Sequence, residues 1–166
     1  LDGLRYDMTV YIHSTDAGGE AIPEGWHLLQ EINASVRQSS PGRITIAEDL
    51  HSNEAITADT AAGGAGFHSQ WDAQFVHPIR TFVTAAQDQE RSMHALAAAL
   101  SFRYGNDACS RVIYSESHDA VANGKAPVPR EIPPADPQGW YAHTPPTHAD
   151  HLPSPPPCSL LLPAFR

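Results

Sequence analysis

The sequence predicts an α/β protein with a parallel sheet. Three observations carry the prediction: short β-like runs alternate with helix-like runs, glycine, serine and proline punctuate the joins, and the β-like runs end in acidic residues. Strands separated by helical stretches pair in parallel through crossovers rather than as hairpins. Alternation alone does not decide between an open sheet and a closed barrel.

The first run, Gly3-Leu-Arg-Tyr-Asp-Met-Thr9, is short and alternates apolar with polar positions, as a strand does. It begins almost at Leu1, which suggests a reading that opens inside a strand. Over residues 25–36 the period changes. Leu28, Leu29, Ile32 and Val36 recur at helical spacing and predict one buried stripe. Ser40, Pro41 and Gly42 stop that helix by ordinary stop chemistry, and Arg43-Ile-Thr-Ile-Ala-Glu48 follows as a second strand. The glycine-rich Gly63-Gly-Ala-Gly-Phe67 leaves room only for a very short strand. A helix is predicted over 71–86, carrying Phe75, Val76, Ile79, Phe82 and Val83 at helical spacing. A second is predicted over 89–104, with Met93, Leu96, Leu100 and Tyr104 on its buried side. Arg111-Val-Ile-Tyr-Ser-Glu-Ser-His-Asp119 is β-rich again.

Proline use divides the chain. Pro23, Pro41 and Pro78 are the only three before residue 127, and the other twelve of the fifteen fall in the last forty positions. Proline lacks the backbone N–H that helices and central strands need. From about Ala126 onward the chain therefore enters a different regime, ending in the low-complexity stretch Leu152-Pro-Ser-Pro-Pro-Pro-Cys158, which predicts an irregular or polyproline-like tail.

Composition removes several classes of function. With 41% hydrophobic and 17% charged residues the chain reads as a soluble globular protein, and no apolar run approaches the roughly 18 residues a membrane helix requires. A formal net charge of -9 disfavours nucleic acid, whose phosphates call for clustered Lys and Arg. A neutral substrate is easier to accommodate. Cys109 and Cys158 lack the spacing of a disulfide framework or a zinc site, and the default is a reducing, cytoplasmic compartment. His143, His148 and His151 sit in proline-rich surroundings that preorganise no metal geometry, and Gly63-Gly-Ala-Gly66 lacks the Lys and Ser/Thr of a phosphate-binding loop. No metal and no cofactor is expected.

Asp7, Glu48 and Asp119 each close a strand candidate. In parallel barrels the strands' C-terminal ends share one opening, so acids placed there converge on one pocket. Arg5 has the parity of Asp7 and points the same way, bringing a fixed positive charge to the carboxylate a nucleophile requires. Paired carboxylates of this kind cleave glycosides: one attacks the anomeric carbon, the other protonates the leaving oxygen, at roughly 5–5.5 Å separation in the retaining mechanism. Taken singly, each acid is as well explained as a turn residue after a strand.

Together the motifs are more specific. Gly3-Leu-Arg-Tyr-Asp7, Ile46-Ala-Glu-Asp49 and Ser117-His-Asp119, in that order, resemble the signatures at the fourth, fifth and seventh strands of the α-amylase family of glycoside hydrolases. The resemblance implies a partial (β/α)8 TIM barrel, about strands 4 to 7 only, over residues 1–132, followed by a Pro-rich tail over 133–166. It implies that Asp7 is the nucleophile, Glu48 the general acid/base and Asp119 the carboxylate that fixes sugar hydroxyls, with Arg5 orienting Asp7 and His118 bonding the same sugar ring. Ser117-His-Asp-Ala-Val-Ala-Asn-Gly-Lys125 looks most like 1,4-α-glucan branching enzymes, although Ala120 and Asn123 stand where that group carries Glu and often His. Gly64-Ala-Gly-Phe-His-Ser-Gln-Trp-Asp72 is similar to their segment around the sixth strand, where Trp71 either stacks on the glucan or is a core aromatic opening the next helix.

The expected substrate is therefore an α-glucan: glycogen, starch or a maltooligosaccharide. Transfer to a 6-hydroxyl is the first expectation. Hydrolysis, or an inactive glucan-binding fragment, is the alternative. The family's first signature, on the third strand, is absent from the sequence, and a whole barrel of this type needs about 250 residues. Catalysis by a partial barrel is the weakest of these expectations.

Overall fold

The computed structural model describes residues 1–16, 18–105 and 107–133. The proline-rich tail expected over 133–166, with Cys158 and the three tail histidines, falls outside the described residues apart from Pro133. The described residues divide into two compact units, one of residues 1–75 and 100–113, the other of 76–99 and 114–133.

The first unit holds a four-stranded, wholly parallel sheet in the order β1-β2-β3-β4, with strands β1 (Gly3–Tyr6), β2 (Ile44–Ala47), β3 (Ser69–Trp71) and β4 (Arg111–Val112). Each strand lies beside its neighbour in sequence, the arrangement that successive crossovers of one hand produce. Helix α1 (Val10–His13) is a single turn, and α2 (Pro23–Ser39) crosses back from β1 to β2. Proline at the first position of α2 is preset for a helix start, and Arg37 in the last turn suits the negative helix end. The register pairs Arg5 with Ile46 and Ile46 with Ser69, so these three share one face of the sheet.

The opposite face carries the core. Leu29, Ala47, Ile56, Ala65 and Phe67 are buried together, with Tyr6, Ile12 and Trp26 packed against them and the Tyr6 and Phe67 rings meeting edge to face at 5.3 Å. Burial holds the Tyr6 phenol above its ordinary pKa. The buried line of α2 is Gly25, Leu29 and Asn33, one residue per turn, so that of the predicted stripe Leu28, Leu29, Ile32 and Val36 only Leu29 is fully buried. Leu28 is 49% exposed. The reason lies in close packing: a side chain at Gly25 would land on the Ile12 carbonyl, so α1 and α2 touch through backbone, and Asn33 is used because its amide donates to the Ala65 carbonyl at 2.8 Å.

Two further expectations are corrected. The very short strand is not in the glycine-rich stretch but two residues beyond it, at β3, where the sequence pattern had begun a helix. Gly64 instead packs where a Cβ would meet the Ala58 carbonyl, and Phe67 N–H bonds Ile56. Helix α3 (Ala73–Thr84) then starts after Asp72, whose carboxylate accepts the Gln74 N–H at 2.9 Å. Helix α4 (Met93–Ser101) is shorter than predicted, and Met93 (66% exposed) and Leu100 (57%) face outward. Tyr104 is buried, but it lies past the helix end.

In the second unit, α5 (His118–Ala122) and α6 (Val128–Glu131) follow a loop. Helix α5 ends at Ala122 and is followed by Gly124 with φ +82°, and Lys125 N–H returns to the Ala120 carbonyl. Arg80, nearly buried, pairs with Glu131 at 2.6 Å and donates to the Ala126 carbonyl at 2.7 Å, while Glu116 accepts Val128 N–H at 2.8 Å. These bonds tie the segment on either side of α5 to α3. Among the described residues no helix is long and apolar enough to cross a membrane.

Candidate active site

The site begins with strand parity. Arg5 is the third residue of β1, and Asp7 is the first beyond it, on the same side. Their side chains form an ion pair. Glu48 follows β2 directly, and its backbone N–H continues the ladder to the Tyr6 carbonyl at 2.9 Å, so it stands beside Asp7 at the same end of the sheet. The second guanidinium nitrogen of Arg5 lies 3.0 Å from Glu48 Oε2. One arginine thus holds both carboxylates.

Their surroundings differ sharply. The Asp7 side chain is 73% exposed and that of Glu48 only 4%. Glu48 also accepts the Met8 backbone N–H at 2.8 Å. Met8 has φ +42°, a left-handed conformation that a side chain makes costly, and Ser52, on the loop after β2, has φ +57°. The two strained residues flank the two acids. The Glu48 carbonyl accepts both the N–H and the hydroxyl of Thr9 at 3.0 Å, which locks the loop after β1 to the end of β2.

Asp49 alternates with Glu48 and points the other way. It is fully buried, 2.8 Å from His13 Nε2, and accepts the His51 N–H at 3.2 Å. The His13 ring rests edge-on against Trp26 at 5.3 Å. Sequence reasoning saw Asp49 only as part of a motif and passed over His13, Thr9 and Met8. Two adjacent acids after an apolar strand were the available signal for Asp49, since one of them must face inward. Nothing in the sequence marks a methionine for a positive φ.

Trp71 does not open the following helix. It is the last residue of β3, half-buried, and the Arg5 guanidinium lies 4.4 Å from its ring centroid. Asp72 behind it is fully buried and binds Arg111 Nη1 at 2.8 Å and the Tyr104 hydroxyl at 3.3 Å. Burial and the Asp72 charge push the Tyr104 phenol up to about 12.

Asp119 and His118 belong to the second unit. They do not end a strand, as the β-rich reading of 111–119 expected: β4 stops at Val112 and both residues lie in the first turn of α5. His118 Nε2 is 3.4 Å from Asp119 Oδ1, both side chains are substantially exposed, and Asp119 Oδ2 accepts no hydrogen bond from the described residues. Among the described residues no group of three acids, histidines or cysteines is placed to hold a metal ion.

No protein-family model matches the chain. Individual proteins do. A 1,4-α-glucan branching enzyme of Xanthomonas oryzae pv. oryzae is 30% identical over 149 residues, covering 82% of this chain and 20% of the relative. The chain is related to the 1,4-α-glucan branching enzymes. A branching enzyme from Leifsonia xyli subsp. xyli is 31% identical over 145 residues, with 80% of this chain and 19% of the relative covered, and one from Mycobacterium sp. (strain JLS) is 32% identical over 148 residues, with 82% and 19% covered. The chain spans about a fifth of the length of these branching enzymes.

Proposed function

We propose that this chain carries part of the catalytic barrel of a retaining α-glucan-active enzyme of the branching type, acting in the cytoplasm on glycogen or starch. The observation that carries the reading is the shared Arg5: one guanidinium contacts Asp7 and Glu48 at the same end of adjacent parallel strands, where an α/β site is built. The name and extent of the matched relatives support the choice of α-glucan as substrate. In this reading residues 1–132 correspond to about the fourth to seventh strands of a (β/α)8 barrel.

In the proposed reaction Asp7, the more exposed acid, attacks the anomeric carbon of an α-1,4-linked glucose unit as Glu48 gives a proton to the departing oxygen. A covalent glycosyl ester on Asp7 results. Glu48 then takes the proton from an incoming 6-hydroxyl, which attacks the same carbon and frees Asp7, so configuration is retained over two inversions. Arg5 keeps the two carboxylates apart in role while holding them in one place. Asp119 and His118 bind sugar hydroxyls in this scheme, and Trp71 can stack on a sugar only through the face opposite Arg5.

Amylose incubated with a protein containing this chain, and read by iodine staining, reducing ends and new 1,6 linkages, tests the reading. New branches without a matching rise in reducing ends are expected, and their loss in Asp7→Asn. Rising reducing ends with no branches would replace transfer by hydrolysis. The small share of the relatives spanned favours one further reading, a glucan-binding fragment without turnover. Calorimetric titration of residues 1–166 with maltoheptaose separates the two: heat of binding without multi-turnover release of sugar supports the fragment.

A further inference from the structure

We propose that Trp71 is a positioning residue for the two carboxylates, acting through Arg5: its indole face is the floor over which the guanidinium rests while it bridges Asp7 and Glu48. The inference deepens the reading of that site and rests on it for the carboxylates' roles.

The geometry requires a floor. Arg5 is on β1 and Trp71 on β3, with β2 between them, so their backbones are about 10 Å apart at normal strand spacing. Arg5, Ile46 and Ser69 are register partners on one face, and Asp7, Glu48 and Trp71 each stand two residues further along the same three strands. The Arg5 side chain therefore runs across the sheet rather than out from it, and its guanidinium comes to rest 4.4 Å from the indole centroid. A cation over an aromatic face is held by the ring's quadrupole, and the planar guanidinium stacks where an ammonium could not.

The two acids alone would not fix it. Asp7 is largely exposed, and an exposed ion pair constrains a long side chain only weakly. Glu48 is enclosed, but it engages one nitrogen of the fork and leaves the guanidinium free to pivot about that contact. The indole removes the pivot by setting the plane of the fork. Asp72, next in the chain, is itself locked by Arg111 and by the start of α3, so the backbone that carries the indole is anchored from behind.

Arginine-selective ¹⁵N NMR on the full chain tests this directly, because rotation about the guanidinium bonds is slow only while the group is held. In the native chain Arg5 should rotate slowly. Trp71→Leu should speed that rotation several-fold although Asp7 and Glu48 are intact, and Trp71→Phe, which keeps a ring face, should restore most of the slowing. An unchanged rate in a Trp71→Leu chain with a native backbone amide spectrum would overturn the proposal. If Trp71→Leu does not fold, ¹⁹F NMR of the chain labelled with 5-fluorotryptophan decides instead: the Trp71 resonance should move in Arg5→Lys, and a stationary resonance overturns the floor. Neither readout involves a glucan. A chain that turns over no α-glucan would defeat the functional reading and leave these outcomes intact, whereas a slow Arg5 rotation that Trp71→Leu leaves unchanged would defeat only the role of Trp71.

Discussion

The Tyr104 hydroxyl offers a sharp test of how the first unit is held together. Tyr104 is 2% exposed and its phenol meets the buried Asp72 carboxylate at 3.3 Å, so ionising it would place a second negative charge against the first. Its pKa is accordingly displaced from 10.0 to about 12. The sign follows from which state binds the proton. Below pH 10 both folded and unfolded chains carry a neutral phenol and no stability is lost. Between 10.0 and about 12 the unfolded phenol ionises while the folded one does not, so stability falls as pH rises. At about 1.4 kcal/mol per tenfold, the loss across that window is at most ~2.7 kcal/mol. Tyr104→Phe abolishes it. At neutral pH the variant gives up the long hydrogen bond to Asp72 together with the one from Ser52, and loses on the order of 1 kcal/mol. The native curve, the higher one at neutral pH, should therefore fall to meet that of the variant and then cross below it as pH climbs towards 12, read from urea midpoints at a series of alkaline pH values, with phenolate absorbance reporting ionisation. Parallel curves would show that Tyr104 ionises in the folded state as it does in water, and the account of the Asp72 cluster would be wrong.

Three further outcomes are expected. Met8→Gly relieves a positive φ at a partly exposed position and should leave stability unchanged or raise it by up to about 1 kcal/mol in urea unfolding; a clear loss would mean that the methionine side chain, not the backbone, holds the loop. Gly25→Ala should destabilise by about 1–3 kcal/mol by calorimetry despite alanine's better helix propensity, because the new methyl meets the Ile12 carbonyl; a stabilised variant would refute the close contact of α1 and α2. Arg80 beside Glu131 holds that carboxyl below its usual 4.5, so the pair's contribution is present above that value and lost as pH falls through the lowered one. Thermal midpoints of the native chain and Glu131→Gln should therefore differ near neutrality and draw together in acid, and a constant difference would contradict the pairing.

The sequence made the alternation of strand and helix legible because β1 and β2 are apolar enough to show a period of two and α2 is long enough to show one of 3.6. What it hid has physical causes. Three-residue β3 buries Gln70, whose side chain donates to the Asn53 carbonyl, so no apolar run announces it. The buried side of α2 runs through Gly25 and Asn33 because backbone contact and an amide bond do there what leucine does elsewhere, and an apolar count cannot register either. Strand β4 is two residues long, too short for any period to appear, and the acid expected at its end lies in a helix instead. That Asp7 and Glu48 stand at the same end of adjacent strands was legible from motif and parity. That one arginine grips Asp7 and Glu48 was only half so, since parity pairs Arg5 with Asp7 but says nothing of the neighbouring strand.

The pair of hydrogen bonds that Thr9 donates to the Glu48 carbonyl bears on how this segment can be recombined with others. Met8 and Thr9 are both hydrogen-bonded to Glu48, although some forty positions separate them in the chain. A chimera with a crossover point between them would inherit the turn after β1 from one parent and the residue that clasps it from another, and any change in the length of that turn would pull the Met8 amide away from Glu48. Shuffling experiments should therefore tolerate junctions before residue 3 or beyond residue 49 far better than junctions in between, even within the exposed stretches of α2.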